Sequence, residues 1–322
     1  LVDDSTPTAF LDAAIGTALA TAKPSFANHA MFADEFRSPF GIASCYNGLP
    51  IGGGAFTLSR LKLGVLAERA NSVEHFTDHL LPHAADAMLR SMDERVRFLT
   101  DESGFFASSF LVREGLIAQD KFTAMFGMVG LAEAVNNLMT LSGSGARFGH
   151  GAEADDLGER IVRQLAKELE RHRNPLLAAT DGRYLLHAQV GLASDSGSSP
   201  GCRIPIGEEP ALIDHILQAS RFHRYFPSGI GDIFPFDETV DGNPEAVRDI
   251  LSGAFASGMR YVSIYGHESD VVRITGYLVK RSEIAKLERG EAVMKDTVAL
   301  GMGAQQNQHL LDRKVRSASS QA

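Results

Sequence analysis

The spacing of apolar side chains along the chain predicts several amphipathic helices separated by short strands. Apolar positions recur every three or four residues over 10–22, 62–69 and 155–171, which is the period of a helix with one buried face. A longer stripe over 73–99 has the same period, but Pro82 should kink or divide that helix because proline has no amide hydrogen to donate. The other predicted helices span 122–141, 210–225 and 244–257.

Short strands and a polar loop complete the pattern. Residues 183–192 and 260–265 are predicted strands, and residues 194–207 form a loop rich in Ser, Gly and Pro that contains Cys202. Asn243 is expected to cap the helix over 244–257, because its side-chain oxygen can accept a hydrogen bond from a free backbone amide. Strands that alternate with helices predict an α/β fold.

Composition narrows the class of protein. The 322 residues are 44% hydrophobic and 22% charged, as in an ordinary globular protein with a substantial core. A net charge of −9 argues against nonspecific nucleic-acid binding, which needs a basic face. Two cysteines cannot form a disulfide framework and suit a reducing cytoplasm. Neither a membrane span nor a signal peptide is expected, and the start at Leu1 suggests N-terminal truncation.

A glycine late in the chain stands in a distinctive setting, the segment Arg273-Ile274-Thr275-Gly276-Tyr277. Glycine has no Cβ, so a radical at its Cα can lie flat between two peptide groups. The amide nitrogen donates electron density and the carbonyl group withdraws it, which delocalises the unpaired electron. The alternative is an ordinary glycine in the turn that follows the strand over 260–265.

One cysteine stands in a segment that disfavours regular structure. Residues 38–54 read SPFGIASCYNGLPIGGG and hold Cys45 among glycines and two prolines, which interrupt the hydrogen bonds of a helix. The segment therefore predicts a tight loop that presents the thiol. The alternative for a lone cysteine is a small buried hydrophobic residue.

These two segments resemble the signatures of glycyl radical enzymes. Residues 55–63 and 126–134 are similar to segments of anaerobic ribonucleotide reductases, and residues 274–284 are most similar to the YjjI-type glycine radical enzymes. The resemblance implies a ten-stranded α/β barrel of two five-stranded half-barrels, with this chain as its C-terminal part. It also implies one catalytic domain over 1–322, with a glycyl radical loop region over 260–300.

The resemblance assigns a role to each reactive residue. Gly276 would store the radical, and Cys45 would pass it to the substrate as a thiyl radical. Neighbouring residues would complete the site: Tyr46 and Asn47 beside the substrate, and Arg273 and Tyr277 as anchors of the glycyl loop.

The same resemblance implies the cofactor and the partners. The radical on Gly276 is itself the cofactor, so no bound metal is expected. No side chain here can generate such a radical, and a radical S-adenosylmethionine activating enzyme with an iron–sulfur cluster is the implied partner. A small-molecule substrate, a possible homodimer and an anaerobic, cytoplasmic setting also follow, without nucleic acid or membrane.

Departures from better-known relatives leave the reaction open. Pyruvate formate-lyase carries two adjacent cysteines, whereas Ser44 and Tyr46 flank Cys45 here. Dehydratases and decarboxylases of this kind carry a glutamate base where this chain has Asn47, whose amide has no useful basicity. Only Cys202 remains for a zinc site, so four thiolates cannot assemble.

Three activities therefore remain as alternatives. One is a lyase or oxidoreductase of unknown substrate, and another is activity like that of a ribonucleotide reductase or a formate-lyase. A non-catalytic binding protein, or an inactive fragment, is the third. Weaker candidate sites, for which structural or peripheral roles are favoured, are the histidines His75, His79 and His83, the glycine-rich residues 142–149, His187, His267 and Cys202.

Overall fold

The computed structural model describes residues 1–36, 38–43, 46–188, 197–240, 242–267, 269–274 and 277–293 of the chain. Its strands are β1 (Phe26–Ala27), β2 (Phe40–Ala43), β3 (Asn47–Pro50), β4 (Gly54–Lys62), β5 (Phe122–Val129), β6 (Leu185–Ala188), β7 (Asp232–Phe236), β8 (Tyr261–Gly266), β9 (Val271–Ile274) and β10 (Tyr277–Lys280). Its α-helices are α1 (Thr8–Thr21), α2 (His29–Glu35), α3 (Leu63–Ala67), α4 (Leu81–Arg97), α5 (Phe105–Ser108), α6 (Phe110–Arg113), α7 (Leu131–Leu141), α8 (Ala152–Arg171), α9 (Leu212–His223), α10 (Pro244–Ala256) and α11 (Arg281–Glu288). The fold is mixed α/β, as predicted.

Two three-stranded sheets form the body of the described chain. β4, β5 and β6 are parallel and lie in that order. In the second sheet β8 lies between β1 and β7, parallel to β7 and antiparallel to β1. A parallel bridge between His187 and Gly229 joins the last strand of the first sheet to the residues just before β7, and Ala188 N donates to Gly229 O at 3.0 Å. The two sheets therefore meet edge to edge at this bridge.

The predicted helix over 122–141 is wrong in its first half. Residues Phe122–Val129 form β5, and only Leu131–Leu141 are helical. All eight residues of β5 are buried, so this central parallel strand reads as a continuous apolar run. Such a run cannot be distinguished from a buried helix by its period. Gly130, at φ 78°, makes the turn between the two elements.

Most other predicted elements are confirmed. Helices α1, α3, α8, α9 and α10 occupy the predicted stretches, and Asn243 accepts a hydrogen bond from Ala246 N as the predicted cap. The stripe over 73–99 stays helical past Pro82, so the predicted division is not observed. A π-helical segment, His75–Leu80, runs directly into α4, and Leu80 and Leu81 both keep helical backbone angles. The strand predicted over 183–192 is β6, and its last four residues lie outside the described ones.

The two faces of the first sheet pack against different groups of residues. Phe126, Met128, Leu186 and Ala188 belong to the large core that also contains α4, α7 and α8 residues. Leu185, on the opposite face of β6, belongs instead to a smaller group that we call the inner cluster. Its buried members are Ala27, Phe32, Phe36, Tyr46, Leu185 and Tyr261.

Candidate functional site

Each of the two predicted reactive residues falls between the strands of an antiparallel hairpin. In the first hairpin β2 pairs with β3, and Ala43 lies opposite Asn47. In the second, β9 pairs with β10, and Ile274 lies opposite Tyr277. Ser44 and Cys45 of the first connection, and Thr275 and Gly276 of the second, lie outside the described residues. Their roles stay predictions.

The side chain of Tyr46 is fixed inside the inner cluster. Only 2% of the residue is exposed, and its hydroxyl donates a hydrogen bond to the carbonyl oxygen of Ala188. Its ring lies 5.5 Å from the ring of His187 and 5.6 Å, edge-on, from that of Tyr261, measured between centroids. The residue next to Cys45 in the chain is therefore held by contacts to both sheets.

Two glycines make room for Tyr46. Gly229 adopts φ 146°, and a Cβ built there would overlap the carbonyl oxygen of Tyr46. A Cβ on Gly231 would lie 2.8 Å from ring carbon Cδ1 of Tyr46. A side chain at Gly229 would therefore displace Tyr46, and one at Gly231 would displace both Tyr46 and Tyr261, whose Cδ1 lies 2.7 Å from the same Cβ position.

Replacing Gly229 by alanine should show how closely Tyr46 packs against it. We expect Gly229→Ala to lower the free energy of unfolding by about 3 kcal/mol, because it adds both a steric overlap and an unfavourable φ. Urea unfolding monitored by circular dichroism measures this. Gly253→Ala is the matched control, since nothing lies within 4 Å of a Cβ at that exposed position in α10. The control should gain roughly 0.5–1 kcal/mol, and equal effects of the two changes would contradict this close packing.

The remaining predicted site residues are placed only in part. Asn47 is half-buried at the start of β3. Arg273 pairs with Leu278 across the second hairpin, and Tyr277 pairs with Ile274. The side chains of Arg273 and Tyr277 lie outside the described part of the structure, so their anchoring role stays a prediction.

Cys202, the rival thiol, lies in a different part of the fold. It is 5% exposed and belongs to the large core on the helix-covered side of the first sheet, not to the inner cluster. Burial, with a smaller contribution from the negative charge of Asp232, raises the pKa of its thiol well above the ordinary value. A protonated thiol packed among apolar side chains fits the peripheral role predicted for Cys202.

His187 has a defined tautomer, although sequence reasoning favoured only a structural hydrogen bond for it. The Ser228 hydroxyl donates its hydrogen to Leu186 O at 3.0 Å, so it must accept from the His187 ring nitrogen Nδ1 at 3.1 Å. Burial lowers the pKa of His187 to about 3, and the ring is therefore neutral at pH 7. Its other nitrogen, Nε2, carries a lone pair and can accept a hydrogen bond.

Glu133, which sequence reasoning missed, lies at the carboxyl edge of the first sheet. The residue belongs to the first turn of α7. Its Oε1 accepts hydrogen bonds from Ser199 N at 2.9 Å and from Ser199 Oγ at 2.6 Å. Within the described part of the chain, its buried Oε2 has no hydrogen-bond partner. Burial raises the pKa of this carboxyl group above its ordinary value of 4.5.

That raised pKa gives Glu133 a measurable effect on stability. A carboxyl group with a raised folded-state pKa stabilises the fold fully below pH 4.5 and loses this contribution as pH rises through the raised pKa. Glu133→Gln keeps an acceptor for Ser199 but cannot ionise. We expect the stability of the variant relative to the native protein to rise from pH 4 to pH 8 in urea unfolding. Glu114→Gln, at an exposed position, is the control. If the difference in free energy of unfolding between Glu133→Gln and the native protein did not change with pH, this would contradict a buried, ionisable Glu133.

Other candidate sites gain no support. In the described chain, no group of three or more His, Cys, Asp or Glu side chains is placed to hold a metal, His75, His79 and His83 included. The glycine-rich residues 142–149 join α7 to α8, and the Asp155 carboxylate accepts from Gly149 N, an amide that a phosphate would need. None of the described helices combines the length and apolar character needed to cross a bilayer.

A cavity of about 440 Å³ opens at the opposite, amino edge of the first sheet. Residues Asp120 and Lys121 line it just before β5, and Arg183 lines it just before β6. Arg183 Nη2 lies 3.3 Å from Glu35 Oε1, so two of the lining charges pair with each other. The cavity adjoins the base of the first hairpin, at Pro39 and Pro50, and not the Tyr46 side chain.

Comparison with known proteins identifies the family. The model of the family described as glycyl radical enzyme YjjI-like matches residues 2–316. An "Uncharacterized protein" of Haemophilus influenzae is 43% identical over 310 residues, which are 95% of this chain and 60% of that protein. The "Uncharacterized protein YjjI" of Escherichia coli is 42% identical over 298 residues, 92% of this chain and 57% of the relative. The chain thus spans about three fifths of the length of these relatives.

Solved structures share the fold at low sequence identity. A glycyl radical enzyme from Archaeoglobus fulgidus superposes with a TM-score of 0.67 at 12% identity, over 97% of this chain and 52% of that one. The glycerol-bound B12-independent glycerol dehydratase from Clostridium butyricum gives 0.66 at 13% identity, over 86% and 49%. The anaerobic ribonucleotide reductase from Thermotoga maritima with glycerol in the active site gives 0.64 at 14% identity, over 90% and 54%. Together with the family match over residues 2–316, this common fold leads to one conclusion: the chain belongs to the YjjI-like glycyl radical enzyme family.

Proposed function

We propose that this chain carries the radical relay of an anaerobic enzyme, with Gly276 as the radical store and Cys45 as the relay. The Gly276 Cα radical takes the hydrogen atom of the Cys45 thiol, which restores the Cα–H bond and leaves a thiyl radical. The thiyl radical then takes a hydrogen atom from a carbon of the substrate and becomes a thiol again. Each step breaks one bond to hydrogen and forms another, so no external oxidant or reductant is consumed.

The buried setting of Tyr46 is the observation that carries this proposal. Tyr46 follows Cys45 directly, and its ring and hydroxyl contact His187, Ala188 and Tyr261 in the interior shared by the two sheets. These contacts fix Tyr46, the residue that follows Cys45 in the chain, and a radical relay needs such fixed surroundings because hydrogen transfer requires close, well-placed reactants. In this proposal Tyr46 and Asn47 shape the substrate site, and Arg273 and Tyr277 anchor the second hairpin.

The fold supports a barrel around this relay. The order β4, β5, β6 continues across the bridge from His187 to Gly229 into β7, β8 and β1. We propose that the whole protein closes these strands into a ten-stranded barrel, with further strands from the part that the longer relatives possess.

The proposal implies a partner that installs the radical. A radical S-adenosylmethionine enzyme with an iron–sulfur cluster would remove one Cα hydrogen from Gly276. The reaction type, lyase or oxidoreductase, follows from the substrate. The enzyme would work in an anaerobic cytoplasm, and a homodimer is the assembly that the proposal includes.

Electron paramagnetic resonance tests the radical directly. After anaerobic incubation with the cognate activating enzyme, the full-length protein should show a doublet, because the unpaired electron couples to the remaining Cα hydrogen of Gly276. Gly276→Ala should abolish the doublet, and Gly253→Ala in α10 should retain it. A correctly folded, full-length protein that stays silent with an active activating enzyme would favour the non-catalytic alternative.

A further inference from the structure

The strand register places three residues in one row across the first sheet. Arg60 of β4 pairs with Gly127 of β5, and Gly127 pairs with His187 of β6. Paired residues of neighbouring parallel strands point to the same face, and neighbouring strands lie about 4.8 Å apart. Arg60 and His187 therefore face the same space, and Gly127 between them contributes no side chain to it. We call these three residues the inner row.

The inner row faces the interior of the fold and not the helices. Its neighbours along each strand, Leu61, Met128 and Leu186, pack in or against the large helix-covered core. Residues alternate between faces along a strand, so Arg60, Gly127 and His187 lie on the other side. The ring contact of 5.5 Å between His187 and Tyr46 confirms this direction and brings the row beside the residue that follows Cys45.

One end of the row can accept a hydrogen bond. Because Nδ1 of His187 donates to the Ser228 hydroxyl, its Nε2 can only accept in the neutral ring. A neutral acceptor favours a ligand hydroxyl and disfavours a carboxylate or phosphate oxygen at the same point.

The other end of the row carries positive charge. Lys62, two residues after Arg60 in β4, shares its face and pairs with Val129. Both side chains are partly buried and already have interactions within the protein, so they are held in place and not loose on the surface. A guanidinium group beside an ammonium group favours an anion, and the guanidinium fork matches a carboxylate.

The next row on the same face is apolar. It consists of Leu58, Met125 and Leu185, which pair across the same three strands and each precede a residue of the inner row by two positions. The two rows together present cationic groups at one end, a neutral acceptor at the other and a hydrocarbon surface alongside.

We propose that the inner row binds the substrate of this enzyme, and that this substrate is a short hydroxy acid. Its carboxylate would lie at Arg60 and Lys62, and its hydroxyl would donate a hydrogen bond to Nε2 of His187. Its short carbon chain would pass between them along the apolar side chains, because Leu58 Cδ1 and Arg60 Cβ already lie within 3.3 Å of the position that a Cβ on Gly127 would occupy. Recognition of the hydroxyl by His187 places the carbon that bears it beside Tyr46. That the bound hydroxy acid is a substrate rests on the proposed function, whereas its binding to the inner row needs no radical.

Titration calorimetry on the unactivated protein tests the proposal, with glycerate as the probe. Propionate has the acid group without a hydroxyl group, and glycerol has hydroxyl groups without the acid. Glycerate should bind at least about fivefold more tightly than either. Arg60→Gln should weaken glycerate binding roughly ten- to a hundredfold, because a hydrogen bond between charged groups is lost.

His187→Asn separates the hydroxyl subsite from the fold. Asparagine can still donate to the Ser228 hydroxyl but has no atom at the place of Nε2. We expect this change to weaken glycerate binding about three- to tenfold and to leave propionate binding unchanged. Exposed positions provide the matched controls Arg90→Gln and His150→Asn, which should leave all three affinities as they are.

Three outcomes would overturn the proposal. In the first, neither Arg60→Gln nor His187→Asn weakens the binding of glycerate. In the second, glycerate and propionate bind with equal affinity. In the third, the folded full-length protein binds none of the probes. Thermal unfolding of each variant checks the fold, and Lys62→Gln and His187→Ala test the same two subsites where a first variant does not fold. Because calorimetry needs no radical, this result is independent of the resonance experiment on Gly276.

Discussion

Cys45→Ser should leave the glycyl radical intact and stop its exchange with the thiol. An S–H bond is nearly matched in strength to the glycyl Cα–H bond, whereas an O–H bond is too strong for the Gly276 radical to break. A barrier higher by only ~4 kcal/mol would already slow the transfer about a thousandfold. Turnover should therefore disappear, while activation by the partner enzyme, which acts on Gly276 itself, should continue.

Deuterated water makes this loss measurable before the substrate is known. The thiol hydrogen exchanges with solvent, so a reversible transfer carries deuterium from Cys45 to Gly276. In the native protein the resonance doublet should collapse towards a singlet in D2O, because deuterium couples much more weakly than hydrogen. In Cys45→Ser the doublet should persist.

The second thiol supplies the control. Cys202→Ala removes a buried sulfur in the helix-covered core and should leave the collapse of the doublet unchanged. Collapse that survives in Cys45→Ser and disappears in Cys202→Ala would move the relay to Cys202. A doublet that persists in the native protein would contradict any thiol relay to Gly276.

Local signals in the sequence predicted the helices well. Residues of α8 bury Leu157, Ile161, Leu165 and Leu169 on one face, which is the stripe that the spacing showed. The cap at Asn243 depends on the chemistry of a single residue and is confirmed. The helix that was expected to kink or divide at Pro82 instead continues from a π-helical segment, His75–Leu80, directly into α4. Such features depend on neighbours in the chain, which a sequence displays directly.

The sheets were harder to predict because their pairing depends on distant residues. β4 has mixed burial and was not predicted, and the fully buried β5 was mistaken for a helix. The ladder that pairs Arg60, Gly127 and His187 joins residues far apart in the chain, so no local period reveals it.

The residues of the candidate site likewise differ in how far the sequence alone predicts them. The sequence pointed to Cys45 and Gly276 through their immediate neighbours, and both fall between the strands of hairpins, although the two residues themselves lie outside the described ones. The cradle around Tyr46 and the tautomer of His187 depend on Gly229, Gly231 and Ser228, which come from another part of the chain. Only the fold brings these groups together.

Exposure of the activated protein to air should cut the chain at Gly276. Dioxygen adds rapidly to a carbon radical, and the peroxyl group formed on the Cα of Gly276 leads to rupture of the adjacent backbone. The intact chain should therefore give way to one piece that ends near Gly276 and a second piece that follows it. The unactivated protein and activated Gly276→Ala should both stay intact in air, because neither carries the radical.

Mass spectrometry of the two pieces locates the radical to one residue. The expected break lies at Gly276, between β9 and β10, and not at Gly266, which ends β8 only ten positions earlier in the chain. The extent of cleavage should equal the fraction of chains that show the resonance doublet before air is admitted, because each radical cuts one backbone. A chain that stays whole after the doublet has been recorded, or a break at another glycine, would contradict the assignment of the radical to Gly276.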